Sequence, residues 1–402
     1  MIKRQYVCPY CFNKHKIEEV HFRCSKESCT EEDTVYSTYW GTPLYSTAIE
    51  PPASKKSFLS AIKPVMPSSC FCDKCGSQAD VRICPSCHSN LPSTIADYED
   101  YIIAVIGAKQ TGKSHYISVL IDSIQNSIGS AYNCFLKPEN DDTIRRYNTN
   151  FRDPLFKHKT TLEVTSSATG TDADVKKPLL YTLSFSGEGI FGTKVITLAL
   201  FDTAGEDLKD EKIMAQHVRY ISHSAGVICL LDPLQLESVR DQIHEKGLPV
   251  NLPRLDNENS VNDLLNRTTN MIRNLLKMKV SKKIEIPMAL SFSKMDAIKP
   301  LLDPGSKLHQ PSRHTDQRGF DTVDFEGVSN EMKALVQGWT QGNLTNLLEH
   351  NYKHYAFFGL SALGMDPGTD SRVEKIEPFR VEDPFLWLLW KNQIIKSHMR
   401  KG

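Results

Sequence analysis

Two groups of residues in this 402-residue chain have types and spacing suited to chemistry. The first opens with Gly107-Ala108-Lys109-Gln110-Thr111-Gly112-Lys113-Ser114, set between an apolar run and an amphipathic one. Glycines at both ends let backbone N–H groups turn toward phosphate oxygens, and a helix starting at Lys113 adds its N-terminal dipole. In such a loop Lys113 reaches the terminal phosphates and Ser114 binds Mg²⁺, so the expected ligand is a nucleoside triphosphate.

Three later stretches fit the same ligand. Asp202-Thr203-Ala204-Gly205-Glu206 follows the apolar run 195–201; an acid there can hold Mg²⁺ through water while Gly205 offers its N–H to the γ-phosphate. Ser293-Lys294-Met295-Asp296 ends the run 286–292. The Asp296 carboxylate can accept two hydrogen bonds from the N1–H and amino group of guanine. Adenine lacks that pair, so a buried acceptor left unpaired would reject it. Ser361-Ala362-Leu363 follows the run 355–360, where backbone N–H groups can meet the guanine O6.

These four stretches together resemble the Ras-like branch of the translation-factor-related (TRAFAC) GTPases, over about residues 101 to 399. The resemblance implies a six-stranded doubly wound sheet and nucleotide-dependent switching. It assigns Gly107, Gly112, Lys113 and Ser114 to phosphate and Mg²⁺, Asp202 and Gly205 to the switch, and Lys294, Asp296, Ser361 and Ala362 to the base. The Cys-rich head, the strand end Ala225-Gly-Val-Ile-Cys-Leu-Leu-Asp232-Pro and the closing Glu382-Asp-Pro-Phe-Leu-Trp-Leu-Leu389 resemble more narrowly the double-GTPase group of bacterial conflict systems.

The chain departs from the Ras-like pattern in three places. Ser293 stands where most relatives have Asn, which is expected to loosen that loop. Glu206 replaces the Gln that orients attacking water, and a carboxylate beside the γ-phosphate is repelled unless neutralised, so intrinsic hydrolysis is expected to be slow. Lys109 and Gln110 occupy loop positions that are small in Ras; either acts in cis on the phosphates, as in dynamin-like relatives, or points to solvent. The switch threonine is open among Thr160, Thr161, Thr165, Thr169 and Thr171. Thr165 is favoured, because Thr169 and Thr171 sit in a Gly/Asp turn and Thr160 and Thr161 follow a basic run.

The second group is cysteine. Nine of eleven cysteines precede residue 90, mostly as close pairs: Cys8/Cys11, Cys24/Cys29, Cys72/Cys75 and Cys84/Cys87. Thiolates two residues apart can point at one ion and Zn²⁺ takes four in a tetrahedron, so four pairs predict two structural zinc sites. Sequential pairing is expected, Cys8, Cys11, Cys24 and Cys29 in one site and Cys72, Cys75, Cys84 and Cys87 in a ribbon-like other. Pairing Cys8/Cys11 with Cys84/Cys87 stays open. Closed Cys₄ sites leave no open position for catalysis. Cys70, Cys134 and Cys229 read as free thiols, and His88 as a neighbour of a ligand rather than a ligand.

The elements that must position these residues divide near residue 95. Residues 1–95 are Cys-rich and short of long apolar periodicity, as expected where metal replaces a core; residues 96–402 form the expected GTPase domain. Beyond Tyr101, short apolar runs alternate with helical patterns, which predicts an α/β doubly wound sheet of about six strands with helices on both faces. The expected strands are 101–106, 179–185, 195–201, 226–231, 286–292 and 355–360, with the second and third an antiparallel hairpin at the sheet edge. Helices are expected over 113–127, 261–279, 330–350 and 384–399, and loops over about 130–178, 235–260 and 300–328.

Composition narrows the function classes. Hydrophobic residues make up 40% and charged residues 24%, which excludes disorder, and the formal net charge of zero gives no global attraction to nucleic acid or anionic membrane. No stretch of about 18 apolar residues and no secretory signal is visible, so a cytoplasmic protein without a membrane span is expected. The reading is a Mg²⁺-dependent GTP hydrolase and switch, binding GTP and GDP, with a zinc module that engages a protein partner, in a bacterial defence setting. Its rivals are a nucleotide-gated adaptor with negligible turnover and a zinc-ribbon nucleic-acid binder with a regulatory NTPase; oligomeric state is not legible.

Overall fold

A computed structural model describes residues 4–52, 64–96, 99–108, 110–162, 177–186, 194–201, 219–255, 260–316, 319–367 and 371–398. Lys109, Thr165, Asp202, Gly205 and Glu206 lie outside the described residues, as do Thr169 and Thr171.

Before residue 96 the strands are short. β1 (Gln5–Val7) pairs with β2 (Lys14–Lys16), and β5 (Cys70–Phe71) pairs with β6 (Gln78–Ala79). Between β4 (Ala48–Ile49) and β7 (Val81–Ile83) lies β3 (His21–Arg23), antiparallel to both. These short elements and their connections bury Tyr6, Phe12, Ile17, Val20, Phe22 and Trp40 in an apolar cluster continuous with the core of the rest of the chain, and the cysteine pairs stand at the strand ends.

One seven-stranded sheet dominates the rest. It comprises β8 (Glu99–Gly107), β9 (Cys134–Pro138), β10 (Leu179–Phe185), β11 (Lys194–Phe201), β12 (Gly226–Leu231), β13 (Met288–Phe292) and β14 (Tyr355–Gly359), in the order β14-β13-β12-β8-β11-β10-β9. β11, β8, β12, β13 and β14 run parallel; β10 is antiparallel to both β11 and β9. The six expected strands are present and the seventh, β9, falls inside the stretch read as a loop. It therefore takes the edge position expected of the 179–201 hairpin. β9 carries Lys137 and Pro138, and Phe135 is 69% exposed, so its single partner and half-buried face leave only a weak alternation in sequence.

Strand period places alternate residues on the two faces. Ile102, Ala104 and Ile106 of β8 face a core built with Leu264, Leu265, Val328, Val336 and Leu344, whereas Tyr101, Ile103 and Val105 face Ile117, Leu120, Ile121, Phe385 and Leu389. Helices thus cover both faces, as expected for parallel strands.

Several helices differ from the sequence reading: the last stops at Lys391 rather than 399, that from Val261 stops at Leu275 rather than 279, and Asp141–Tyr147 is helical inside the expected 130–178 loop. The stretch 330–350 is two helices, Thr322–Trp339 and Asn343–Asn351, broken where Gln341 and Gly342 take positive φ. The first begins inside the expected 300–328 loop because Asp321 caps it, accepting from the Val323 and Asp324 N–H groups at 3.0 Å. Glu237–Glu245 is also helical, burying Val239 and Ile243 at i,i+4 spacing. Among the described residues no helix is long and apolar enough to cross a membrane.

Candidate functional site

Sheet register aligns the strand ends that matter. Gly107 stands opposite Leu230, Leu231 opposite Phe292, and Phe292 opposite Gly359. The segments that follow β8, β12, β13 and β14 therefore emerge side by side. From β8 the chain proceeds first to one side of the sheet and later to the other, which makes the end of β8 a topological switch point where open α/β sheets bind ligands.

The loop after β8 is held by close contacts. A Cβ on Gly107 would lie 2.5 Å from the Leu230 carbonyl oxygen and 2.7 Å from Thr111 Oγ1, so only glycine fits beside β12. Gly112 has φ +82° and leads into the helix Lys113–Ser123. Lys113 is buried, and its ammonium donates to the Gly107 and Ala108 carbonyls, each at 3.0 Å. Thr111 Oγ1 donates to the Ala108 carbonyl at 2.9 Å. The buried ammonium is thus folded back onto its own loop.

The loop after β13 carries the second half. Ser293 is buried; its hydroxyl and N–H both donate to the Leu231 carbonyl, at 3.0 and 2.8 Å. That tether holds a loop expected to be loose. Lys294 has φ +53°, and its ammonium reaches Asp232 Oδ2 at 2.5 Å. Asp232 is 2% exposed and also accepts from the Leu234 N–H at 2.9 Å, capping the turn Pro233–Gln235. Asp232 thus holds Lys294 in place, a contact that the sequence reading did not assign; Asp-Pro closing an apolar strand was the visible signal.

Asp296 is half-buried and accepts a hydrogen bond from the Ser361 hydroxyl, which in turn accepts from the Gly364 N–H at 2.9 Å. Burial pushes the Asp296 carboxyl above its ordinary range, with Asp366 adding to the rise, while the Ser361 bond and Lys294 oppose it. Ser361 is fixed by paired backbone bonds with Phe379 at 2.9 and 2.8 Å.

Gln110, Thr111, Gly112, Lys113, Ser114, Lys294, Asp296, Ser361 and Ala362 line one cavity of about 410 Å³. His115 lines it as well, and its Nε2 accepts from the Leu162 N–H at 3.0 Å. Burial, with Lys294 nearby, lowers its pKa to about 4, so the ring is neutral and can serve as that acceptor at neutral pH. His115 ties the phosphate-loop helix to the segment that follows Thr160 and Thr161, neither of which lines the cavity. Nothing in the sequence alone marked it.

The family profile of the group named Double-GTPase 2 matches residues 101–364. The chain belongs to that family. As a Double-GTPase 2 protein it is a P-loop GTPase by descent, and the matched span runs from β8 through Gly364. This double-GTPase is 27% identical over 323 residues to a candidate ESX-1 scaffolding and assembly protein, SaeC, of Mycolicibacterium smegmatis, covering 77% of this chain and 79% of the relative. Matches among solved structures include the Arl6 (BBS3) small GTPase of Trypanosoma brucei, at 12% identity and TM-score 0.28, covering 73% of this chain and 98% of that one. Another is the signal recognition particle receptor SRb-GTP/SRX complex of Chaetomium thermophilum, at 14% identity and TM-score 0.27, covering 67% of this chain and 93% of that one.

The double-GTPase gathers its eight paired cysteines into two tetrads, Cys8, Cys11, Cys84 and Cys87, and Cys24, Cys29, Cys72 and Cys75. This corrects the sequential pairing. Because β3 and β7 are antiparallel, β3 enters Cys24 at one end of their ladder and β7 enters Cys84 at the other. The knuckle before β7, Cys72–Cys75, therefore lies at the Cys24 end, and the knuckle before β3, Cys8–Cys11, at the Cys84 end. Sulfur–sulfur distances are 3.8 Å for Cys8–Cys87, 3.7 Å for Cys11–Cys84, 3.7 Å for Cys24–Cys75 and 3.9 Å for Cys29–Cys72. Zn–S bonds of about 2.3 Å in a tetrahedron put sulfurs about 3.8 Å apart, so both sets fit zinc, whereas a disulfide needs about 2.05 Å.

Three knuckles share one geometry: the N–H after the second cysteine returns to the carbonyl of the first, from Phe12 to Cys8, Gly76 to Cys72 and His88 to Cys84 at 2.8–2.9 Å. That residue has positive φ in each, 58° at Phe12, 69° at Gly76 and 50° at His88. His88 is held there by Asp33, 2.7 Å from its Nδ1, rather than by metal. His15 Nε2 lies 3.4 Å from Cys84 Sγ, a partner for that sulfur that the sequence reading missed.

Proposed function

We propose that this double-GTPase is a Mg²⁺-dependent GTP-binding and GTP-hydrolysing switch whose zinc-stapled head, residues 1–95, is a protein-docking domain attached to a GTPase domain, residues 96–402. The reading rests above all on one cavity lined both by Lys113 of the phosphate loop and by Asp296 of the loop after β13. Phosphate would sit on the N–H groups and ammonium of residues 107–114, and the guanine edge would meet the Asp296 carboxylate. Lys294, Ser361 and Ala362 would frame the base, with Gln110 and Lys109 at the phosphate end. Ser114 would hold Mg²⁺, helped by Asp202 and Thr165, with Gly205 and Glu206 at the γ-phosphate; Mg²⁺ would neutralise charge developing there.

Zinc in the two tetrads would be structural. Each tetrad offers four sulfurs and no open position, so its work would be to staple the short elements of the head together. A relative named for scaffolding and assembly supports a role in organising a protein complex more directly than it supports a defence role. Single-turnover hydrolysis of GTP tests the enzymatic part. Lys113→Ala should slow phosphate release at least about a hundredfold; equal release from both proteins would favour the adaptor that binds without turnover.

A further inference from the structure

The cavity has a wall that neither the phosphate loop nor the base loops supply. Val250, Asn251, Leu252 and Pro253 line it from the connection between the helices Glu237–Glu245 and Val261–Leu275. Two side chains anchor this segment from behind. Arg240 Nη1 donates to the Leu234 carbonyl at 3.1 Å and to the Pro253 carbonyl at 2.7 Å, and Gln235 Nε2 donates to the Arg254 carbonyl at 3.1 Å.

In front, Asn251 Nδ2 donates to Asp366 Oδ2 at 3.2 Å. Asp366 belongs to the loop after β14, whose Leu363, Met365 and Pro367 line the same cavity. β12 and β14 flank β13 in the sheet. A bond between the segments that follow β12 and β14 therefore spans the end of β13, where Lys294 and Asp296 stand.

We propose that Asn251 and Asp366 latch two loops over the purine, with Val250, Leu252 and Met365 against its apolar faces, so that nucleotide leaves only when this bond opens. A purine presents flat apolar faces and a polar edge; Asp296 meets the edge and these side chains meet the faces. The latch rests on the nucleotide reading given above. Asn251 and Asp366 are positioning residues, since they act through the loops they join. Both are exposed, so either can be replaced without opening the core.

Release of a fluorescent GDP, N-methylanthraniloyl-GDP, from the full chain after a chase with excess GDP tests the latch. Asn251→Ala and Asp366→Ala should each speed release about threefold to tenfold, the worth of one net hydrogen bond, with the unfolding midpoint of the nucleotide-free protein unchanged. Asn251→Ala carries more weight, because Asp366 also bears on the Asp296 carboxyl. Exchanging the pair, Asn251→Asp with Asp366→Asn, should restore slow release. Unchanged release in the single variants, or an exchanged pair as fast as either, overturns the latch alone. Failure of the wild-type chain to bind GDP at all overturns both the latch and the nucleotide site.

Discussion

The ring of Phe12, in the first cysteine knuckle, lies 4.9 Å from the ring of Tyr220, and both pack against Phe201 at 5.7 and 5.1 Å. Phe201 immediately precedes Asp202. The Tyr220 hydroxyl donates to the Ile103 carbonyl at 2.7 Å and accepts from the N–H groups of Val105 and Phe201 at 3.2 and 3.3 Å, clamping β8 to β11. Arg219 adds a bond from Nε to the Cys11 carbonyl at 3.3 Å. The Cys8–Cys87 tetrad is thus seated on the strands that carry the phosphate loop and the Asp202 segment.

Phe12 is fully buried in the left-handed conformation common to the three knuckles, and its ring packs on Phe201 and Tyr220. Phe12→Ala should cost about 3–5 kcal/mol in urea unfolding. Phe12→Gly relieves the backbone, so it should lose less than that removal of the ring alone implies. A change under about 1 kcal/mol in the alanine variant would mean that the knuckle does not lean on the sheet.

Zinc content distinguishes the two ways of pairing the knuckles. Cys8→Ser with Cys84→Ser removes two ligands from one tetrad and should leave one zinc per chain by atomic emission. Cys72→Ser with Cys84→Ser takes one ligand from each and should weaken both sites. Sequential pairing predicts the reverse pattern.

Asp232 holds Lys294 and caps its own turn, so its two oxygens do separate work. Asp232→Asn retains an acceptor for the Leu234 N–H but loses the charge that fixes Lys294. GDP affinity by calorimetry should fall about tenfold to a hundredfold, as expected for a charged hydrogen bond of about 1.5–3 kcal/mol. Unaltered affinity would place Lys294 outside the binding work.

Glu382 precedes the helix Asp383–Lys391, and burial, with Asp383 beside it, pushes its carboxyl up to about 7 from an ordinary 4.5. A folded-state value above the unfolded one means that the neutral form is favoured: its contribution is complete below about 4.5 and is lost as pH rises through about 7. Glu382→Gln should therefore raise the urea midpoint at pH 8, and the gain should vanish by pH 4.5. A gain independent of pH would show that Glu382 is not protonated in the fold.

Much of this arrangement was legible from residues alone, for identifiable reasons. β8, β10, β11, β12, β13 and β14 are buried strands, so their apolar runs mark them directly, and the phosphate loop announces itself because few sequences satisfy both its spacing and its context. What escaped depends on contacts between distant segments. Asp232 matters because Lys294, 62 residues later, folds onto it. The cysteine tetrads interleave because β3 and β7 are antiparallel, a fact about register that spacing does not encode. His115 and Asn251 are ordinary residues in sequence and acquire meaning only through Leu162 and Asp366.

The central claim is that Lys113 and Asp296 serve one guanine nucleotide, and equilibrium competition tests it most directly. GDP bound to the purified chain should be displaced by GTP at comparable concentration, whereas ATP should need an excess on the order of 10⁴, the discrimination expected of a buried acceptor built for guanine donors. Displacement by ATP and GTP at equal concentrations would contradict the assignment of Asp296.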